Sequence, residues 1–124
     1  MKKKKVTHPV KKGTKYELEI VHKICDALGL AYGKDLKRRP RGEKGDDIVH
    51  LSLRGFKKFP FSIESKDRRN WSINTWWDKL IEDRDEDLVP ALVLHRHQTK
   101  VDYVILTLDD FLELVLKTME DEPG

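Results

Sequence analysis

The chain has 124 residues, which suits one compact domain and leaves little room for a second. Its hydrophobic fraction is 38%, above a disordered composition, and a further 38% is charged, against about 25% in an average soluble domain. The lone Cys25 excludes an internal disulfide framework and a cysteine-based zinc cluster. No apolar run approaches the roughly 18 residues of a membrane span and no signal-peptide core follows the N-terminal lysines, so a cytoplasmic protein without a membrane partner is expected.

The net charge of +3 conceals an asymmetry. Residues 1–69 carry 20 Lys/Arg against 9 Asp/Glu, and residues 70–124 carry 5 against 13. A basic half of this kind suits a polyanionic partner, and it suits equally a solvated surface with a basic tail. Charge alone does not separate the two.

Residues 1–12 hold six lysines and no acid, and read as a flexible arm. A single domain is expected over 13–118, with an acidic tail over 119–124. A helix is predicted from about Thr14 to Leu28, ended by Gly29. At 100° per residue Ile20, Val21, Ile24 and Leu28 form one buried stripe. Glu17 lies on the same stripe, and it is either a helix-entry carboxylate at a solvated edge or a group with work to do in the interior.

The stretch Gly33–Asp46 holds six basic residues and several turn formers and reads as loop or irregular strand. A strand over Asp47–Leu53, a turn over Arg54–Phe59 and a returning strand over Phe61–Lys66 follow, with Pro60 at the tolerated strand start. A second helix is predicted near Asn74–Asp85, with Ile73, Trp77, Leu80 and Ile81 at helical spacing. Strands at about Ala91–His95 and Val101–Thr107 come next. A last helix begins at an Asp cap, Asp109 or Asp110, and runs to about Thr118. This order argues for a small mixed sheet packed with helices.

Alternation places Ser62, Glu64 and Lys66 on one face of the returning strand. If the two central strands form a hairpin, reflection through its midpoint sets Asp47 opposite Lys66 within one residue, and close to Glu64. Two carboxylates and a lysine then converge, and Glu17 could join them from the helix. Such a set suits metal-assisted phosphodiester hydrolysis. A hard cation such as Mg²⁺ takes oxygen ligands, which Asp47, Glu64 and the Ser65 carbonyl supply. The metal lowers the pKa of a bound water, and Lys66 orients that water or stabilises charge on phosphorus. An E-x-K triplet alone carries no weight, since it occurs by chance about once in two or three chains of this length.

Taken together, Glu17 in the first helix, Asp47 in GDDIV, and Glu64 and Lys66 in SIESK resemble the PD-(D/E)XK nuclease superfamily. Within it the sequence is similar to the small Holliday junction resolvases of archaea and some bacteriophages. The resemblance implies a restriction-endonuclease-like α/β fold with an αβββαβ core and a mixed central sheet flanked by helices. It also implies a divalent metal, Mg²⁺ with Mn²⁺ able to substitute, and a homodimer that nicks a four-way DNA junction symmetrically. The proline of the family name is absent, because Asp47 follows Asp46, so Asp46 is an alternative ligand. The resemblance favours Asp47, which directly precedes the apolar pair Ile48-Val49 as the family's acid usually does.

Arg68 and Arg69 follow the lysine strand and are placed to contact phosphates, with Trp71 able to stack on an exposed base. The alternatives are pairing with the acids of the second half for the arginines, and core packing for the tryptophans. Arg38, Arg39 and Arg41 would line the DNA surface or a solvated loop. His95 and His97 read as ordinary polar strand residues, since no third zinc ligand is evident. Phe111, Leu112, Leu114, Val115 and Leu116 spread over more than one helix face, which suggests either a dimer interface or a helix buried on two sides.

Overall fold

The protein is described by a computed structural model covering residues 9–120. Its elements are α1 (Pro9–Leu28), β1 (Leu36–Arg38), β2 (Ile48–His50), α2 (Leu53–Lys58), β3 (Phe61–Arg68), α3 (Ile73–Asp83), β4 (Val89–Arg96), β5 (Asp102–Ile105) and α4 (Leu108–Glu120). The αβββαβ order is present in α1, β1, β2, β3, α3 and β4, with the short α2 inserted between the second and third strands. Among the described residues no helix is long and apolar enough to cross a membrane.

The first helix begins five residues earlier than predicted. Proline fits the first helical turn, where its missing N–H has no partner to lose, so Pro9 starts α1 and does not interrupt a flexible arm. The arm expected over 1–12 is therefore helical from residue 9, and residues 1–8, like the tail at 121–124, lie outside the described residues. Gly29 ends α1 as predicted, at φ +67°, with the Leu30 N–H returning to the Cys25 carbonyl. The buried stripe is rotated from the prediction. Tyr16, Ile20, Val21 and Cys25 are buried, while Leu28 is exposed.

The predicted hairpin does not form. β2 pairs antiparallel with β1, and the chain then enters α2, where a turn was expected. Ser52 caps this helix by accepting the Gly55 N–H, and its own hydroxyl donates to Asp35. β3 pairs instead in parallel with β4, and β5 adds antiparallel to β4. The result is a mixed three-stranded sheet, β3-β4-β5, beside the two-stranded β1-β2 ribbon.

Alternation on β4 builds the two halves of the core. Ala91 and Val93 join Ile63 and the α1 residues on one side, while Leu92 and Leu94 meet Leu80 of α3 on the other, with Trp76, Trp77 and Ile105 packed around them. Trp77 is thus a core-side residue, whereas Ile73 and Ile81 are exposed. Helices on both faces bury β3 from Ser62 to Ser65, so Glu64 lies on a covered face of the sheet. α4 begins at Leu108, and its cap is Thr107 in place of the predicted Asp: the Thr107 hydroxyl accepts the Asp110 N–H. No residue of α4 is buried.

Candidate active site

The β1-β2 ribbon brings one residue against the middle of β3. The Asp47 N–H donates to the Ile63 carbonyl at 2.8 Å, just before the ribbon diverges. This single contact directs the Asp47 side chain along β3, where the Ser65 N–H and hydroxyl both donate to Asp47 Oδ2, at 2.7 and 3.1 Å. The sequence-based register set Asp47 opposite Lys66; its partner is Ser65, reached by a bridge and not through a hairpin. The convergence survives because Ser65 stands between Glu64 and Lys66.

Glu64 is only 4% exposed, and its Oε2 lies 3.1 Å from the Lys66 Nζ. Lys66 in turn sits over the Trp76 ring, 5.9 Å from its centroid, so α3 holds the ammonium from the other side. Glu17 reaches the same site from α1 and pairs with Arg38 of β1 at 3.5 Å. Burial and the neighbouring charges of Glu64 and Glu17 push the Asp47 carboxyl up to about 8. Burial raises Glu17 as well, against the opposing pull of Arg38. The three acids therefore lie within one another's field, Glu64 buried and Glu17 part-exposed at the cleft.

The adjacent aspartate has a different role. Asp46, also 4% exposed, accepts a short hydrogen bond from Ser62 and pairs with Arg39 Nη2 at 3.1 Å. Arg39 Nε donates to the Asp46 carbonyl at 2.6 Å. Arg39 is thus tied to the 39–47 loop with Asp46 as its counterion, and both still line the cleft beside Asp47. Arg38, Arg39, Arg41 and Arg68 line a cleft of about 290 Å³ that has Glu17, Asp46 and Asp47 on its wall. Arg69 and Trp71 are exposed beyond the end of β3, and among the described residues neither Arg68 nor Arg69 forms an ion pair.

A second polar cluster fixes α1. Tyr16 donates to Asp102 Oδ1 at 2.8 Å, His95 Nδ1 approaches the same oxygen at 2.9 Å, and Lys23 lies 3.5 Å from Oδ2. Burial and the neighbouring Asp102 hold the Tyr16 phenol well above its ordinary value, which keeps it a donor. Burial of Asp102 works in the opposite direction to its bonds from His95 and Tyr16, and the bonds win, keeping the carboxyl below its usual range. Tyr16 precedes Glu17, so this anchor sets the height at which Glu17 enters the site. His95 belongs to this network, and His97 sits in the turn after β4. Neither Trp76 nor the Tyr16 anchor was legible beforehand, because both depend on contacts distant in sequence.

The donors suit a hard divalent cation. They are oxygens only, and three mutually repelling carboxylates gain from a cation among them. Among the described residues no three ligating side chains form a ready cage. The protein's share would then be the Asp47 and Glu64 carboxylates and the Ser65 carbonyl, with water and phosphate supplying the rest.

Compared with known families, residues 9–123 match the family model described as Phage putative PDDEXK endonuclease. Neither a curated protein nor a solved structure matches the chain.

Proposed function

The chain belongs to this PDDEXK endonuclease family, and from that premise we propose that it nicks branched DNA, with a four-way junction cut symmetrically by a homodimer using Mg²⁺ or Mn²⁺. The observation that supports this reading is the meeting of Asp47 with the Glu64-Ser65-Lys66 segment beside a cleft lined with arginines. Asp47, Glu64 and the Ser65 carbonyl would hold the cation, which would supply Lewis acidity toward the phosphate and lower the pKa of water beside it. Lys66, steadied between Glu64 and Trp76, directs one N–H at the attacking water or the non-bridging phosphate oxygen. Glu17 orders the water around the site. Arg38, Arg41 and Arg68 position the DNA backbone without reading its sequence.

The dimer rests on α4. Leu108, Phe111, Leu112, Val115 and Met119 fall on one stripe of this helix, and every one of them is exposed. Beside it an apolar groove of about 450 Å³ runs between α1 and the sheet, lined by Ile24, Phe59, Phe61 and Val104. A second copy covers both surfaces by a twofold exchange of helix and groove.

The test is incubation of the protein with a labelled four-way junction and a matched linear duplex, with Mg²⁺ or EDTA, alongside Glu64→Ala. Paired symmetric nicks in the junction are expected, reduced on the order of 10³-fold by EDTA or by the substitution while binding persists. Tight binding without cleavage in any divalent metal would leave a DNA-binding module of the same fold.

A further inference from the structure

Two aromatic side chains stand exposed at the end of the catalytic strand. Trp71, in the β3–α3 loop, is 36% exposed, and Tyr103, on the edge strand β5, is 40% exposed. Their rings meet edge to face, with centroids 5.7 Å apart and planes at 70°. Such a contact occupies at most one face of one ring, and both side chains keep part of their surface in solvent.

Their placement relative to Lys66 follows from strand register. Lys66 pairs with Leu94, and Leu94 pairs with Tyr103. Directly paired residues project to the same side of a sheet, so Tyr103 shares the face that carries Lys66 and Glu64. Two strand spacings, about 10 Å, separate the backbones of Lys66 and Tyr103. Trp71 is tied to the same region through Arg68. The indole N–H donates to the Arg68 carbonyl at 3.2 Å, while Arg68 itself lines the cleft beside Glu17 and Asp47. One residue thus links the phosphate-facing cleft to the aromatic pair, and the adjacent Arg69 adds a second positive charge.

We propose that Trp71 and Tyr103 form a stacking platform for an unpaired base of the strand whose phosphate lies at Lys66. The occupant is single-stranded DNA, argued from charge and shape together: the exposed Arg68 and Arg69 adjoin in the chain a pair of partly exposed aromatic rings, and Arg68 lines the cleft of the acid cluster. A base within intact duplex has both faces covered by its neighbours and cannot use the platform. The platform therefore selects DNA whose strands part beside the scissile phosphate, as they do at a junction or flap. This inference rests on the nuclease reading of the Asp47–Glu64 site.

The experiment measures binding and cleavage separately. Binding of a labelled oligothymidylate of about 20 nucleotides and of a matched duplex is followed by anisotropy in EDTA, for wild type, Trp71→Ala, Trp71→Phe and Tyr103→Ala, each checked for folding by its melting curve. Each alanine variant is expected to weaken single-strand binding roughly 5- to 100-fold and to change duplex binding by no more than about twofold. Trp71→Phe retains most of the affinity, and the salt dependence keeps its slope because no phosphate contact is lost. Unchanged single-strand affinity in folded alanine variants, or an equal loss on both DNAs, overturns the platform. Absence of junction cleavage by the wild type in any divalent metal overturns the nuclease reading instead, and it leaves the binding comparison standing.

Discussion

Asp46 and Asp47 differ by one position and by everything around them. The first is neutralised by Arg39, accepts a hydrogen bond from Ser62 and holds the loop together; the second, among the described residues, accepts from Ser65 and feels two further acids. Two consecutive side chains entering a strand point to opposite sides, so only one of them can join the cluster. The Asp47 carboxyl has a measurable consequence for stability. Its folded value, about 8, lies above its ordinary value of 3.8. A raised acid contributes stability that is complete below the ordinary value and is lost as pH climbs through the folded one. The metal-free protein should therefore lose thermal stability between about pH 4 and pH 8, at roughly 4 °C per kcal/mol for a domain of this size. Asp47→Asn should flatten that decline, and Mg²⁺ should raise Tm most at the alkaline end, where the bare carboxylates repel. Melting curves across pH, with and without the ion, check all of this. Parallel curves for wild type and Asp47→Asn would show that Asp47 is not the group responsible.

At the scale of elements, the decisive feature is the insertion of α2 between β2 and β3. Asp35 organises it: its carboxylate accepts the Ala31 N–H and the Ser52 hydroxyl, and its carbonyl accepts the Leu51 N–H. The Ala31 and Ser52 bonds also hold the Asp35 carboxyl below its ordinary value. Gly55 lets the helix lie directly on this segment, because a Cβ there would overlap the Asp35 carbonyl oxygen and crowd Leu36. Gly55→Ala should cost roughly 1–3 kcal/mol through the forced shift of α2. Denaturant unfolding would show it as a lower midpoint at unchanged slope. A midpoint equal to wild type would mean that the α2 contact yields freely. By turning the chain away from a simple hairpin, α2 leaves the Asp47–Ile63 bridge as the hydrogen bond that sets the height of Asp47 against Glu64.

For the whole molecule, the two unlike halves of the sequence acquire different surfaces. The basic half supplies Arg38, Arg39, Arg41 and Arg68 around the acid cluster, while the last helix offers an apolar stripe left exposed among the described residues. If α4 and the neighbouring groove form the twofold contact, Leu112→Glu places a charge in that apolar interface, where burial without a partner is costly. The variant should run as a monomer by light scattering at concentrations where wild type is dimeric. It should make single, unpaired nicks in a junction, because paired cutting needs two sites held in fixed relation. A wild type that is monomeric throughout would remove the dimer and with it the expectation of symmetric nicks.

Local spacing was enough to read most elements of this chain, including the C-terminal end of α1 at Gly29 and the start of β3 after Pro60. Periodicity put Glu17 on an inward helix face and Glu64 with Lys66 on one strand face, but Asp47 was brought to them by a hairpin that does not form, and the four were grouped through the family resemblance. Pairing was not legible. That β3 joins β4 in parallel, that β2 turns to β1, that Trp76 lies under Lys66 and that Arg39 is taken by Asp46 all depend on which distant surfaces bury each other. Burial is a property of the assembled layers, and so is the dry, crowded field around Asp47. The sequence alone determined which acids are present and on what kind of element each sits. Only the tertiary structure decided which of them share a site, because that choice is made by the packing of α1, the ribbon and α3 around one strand.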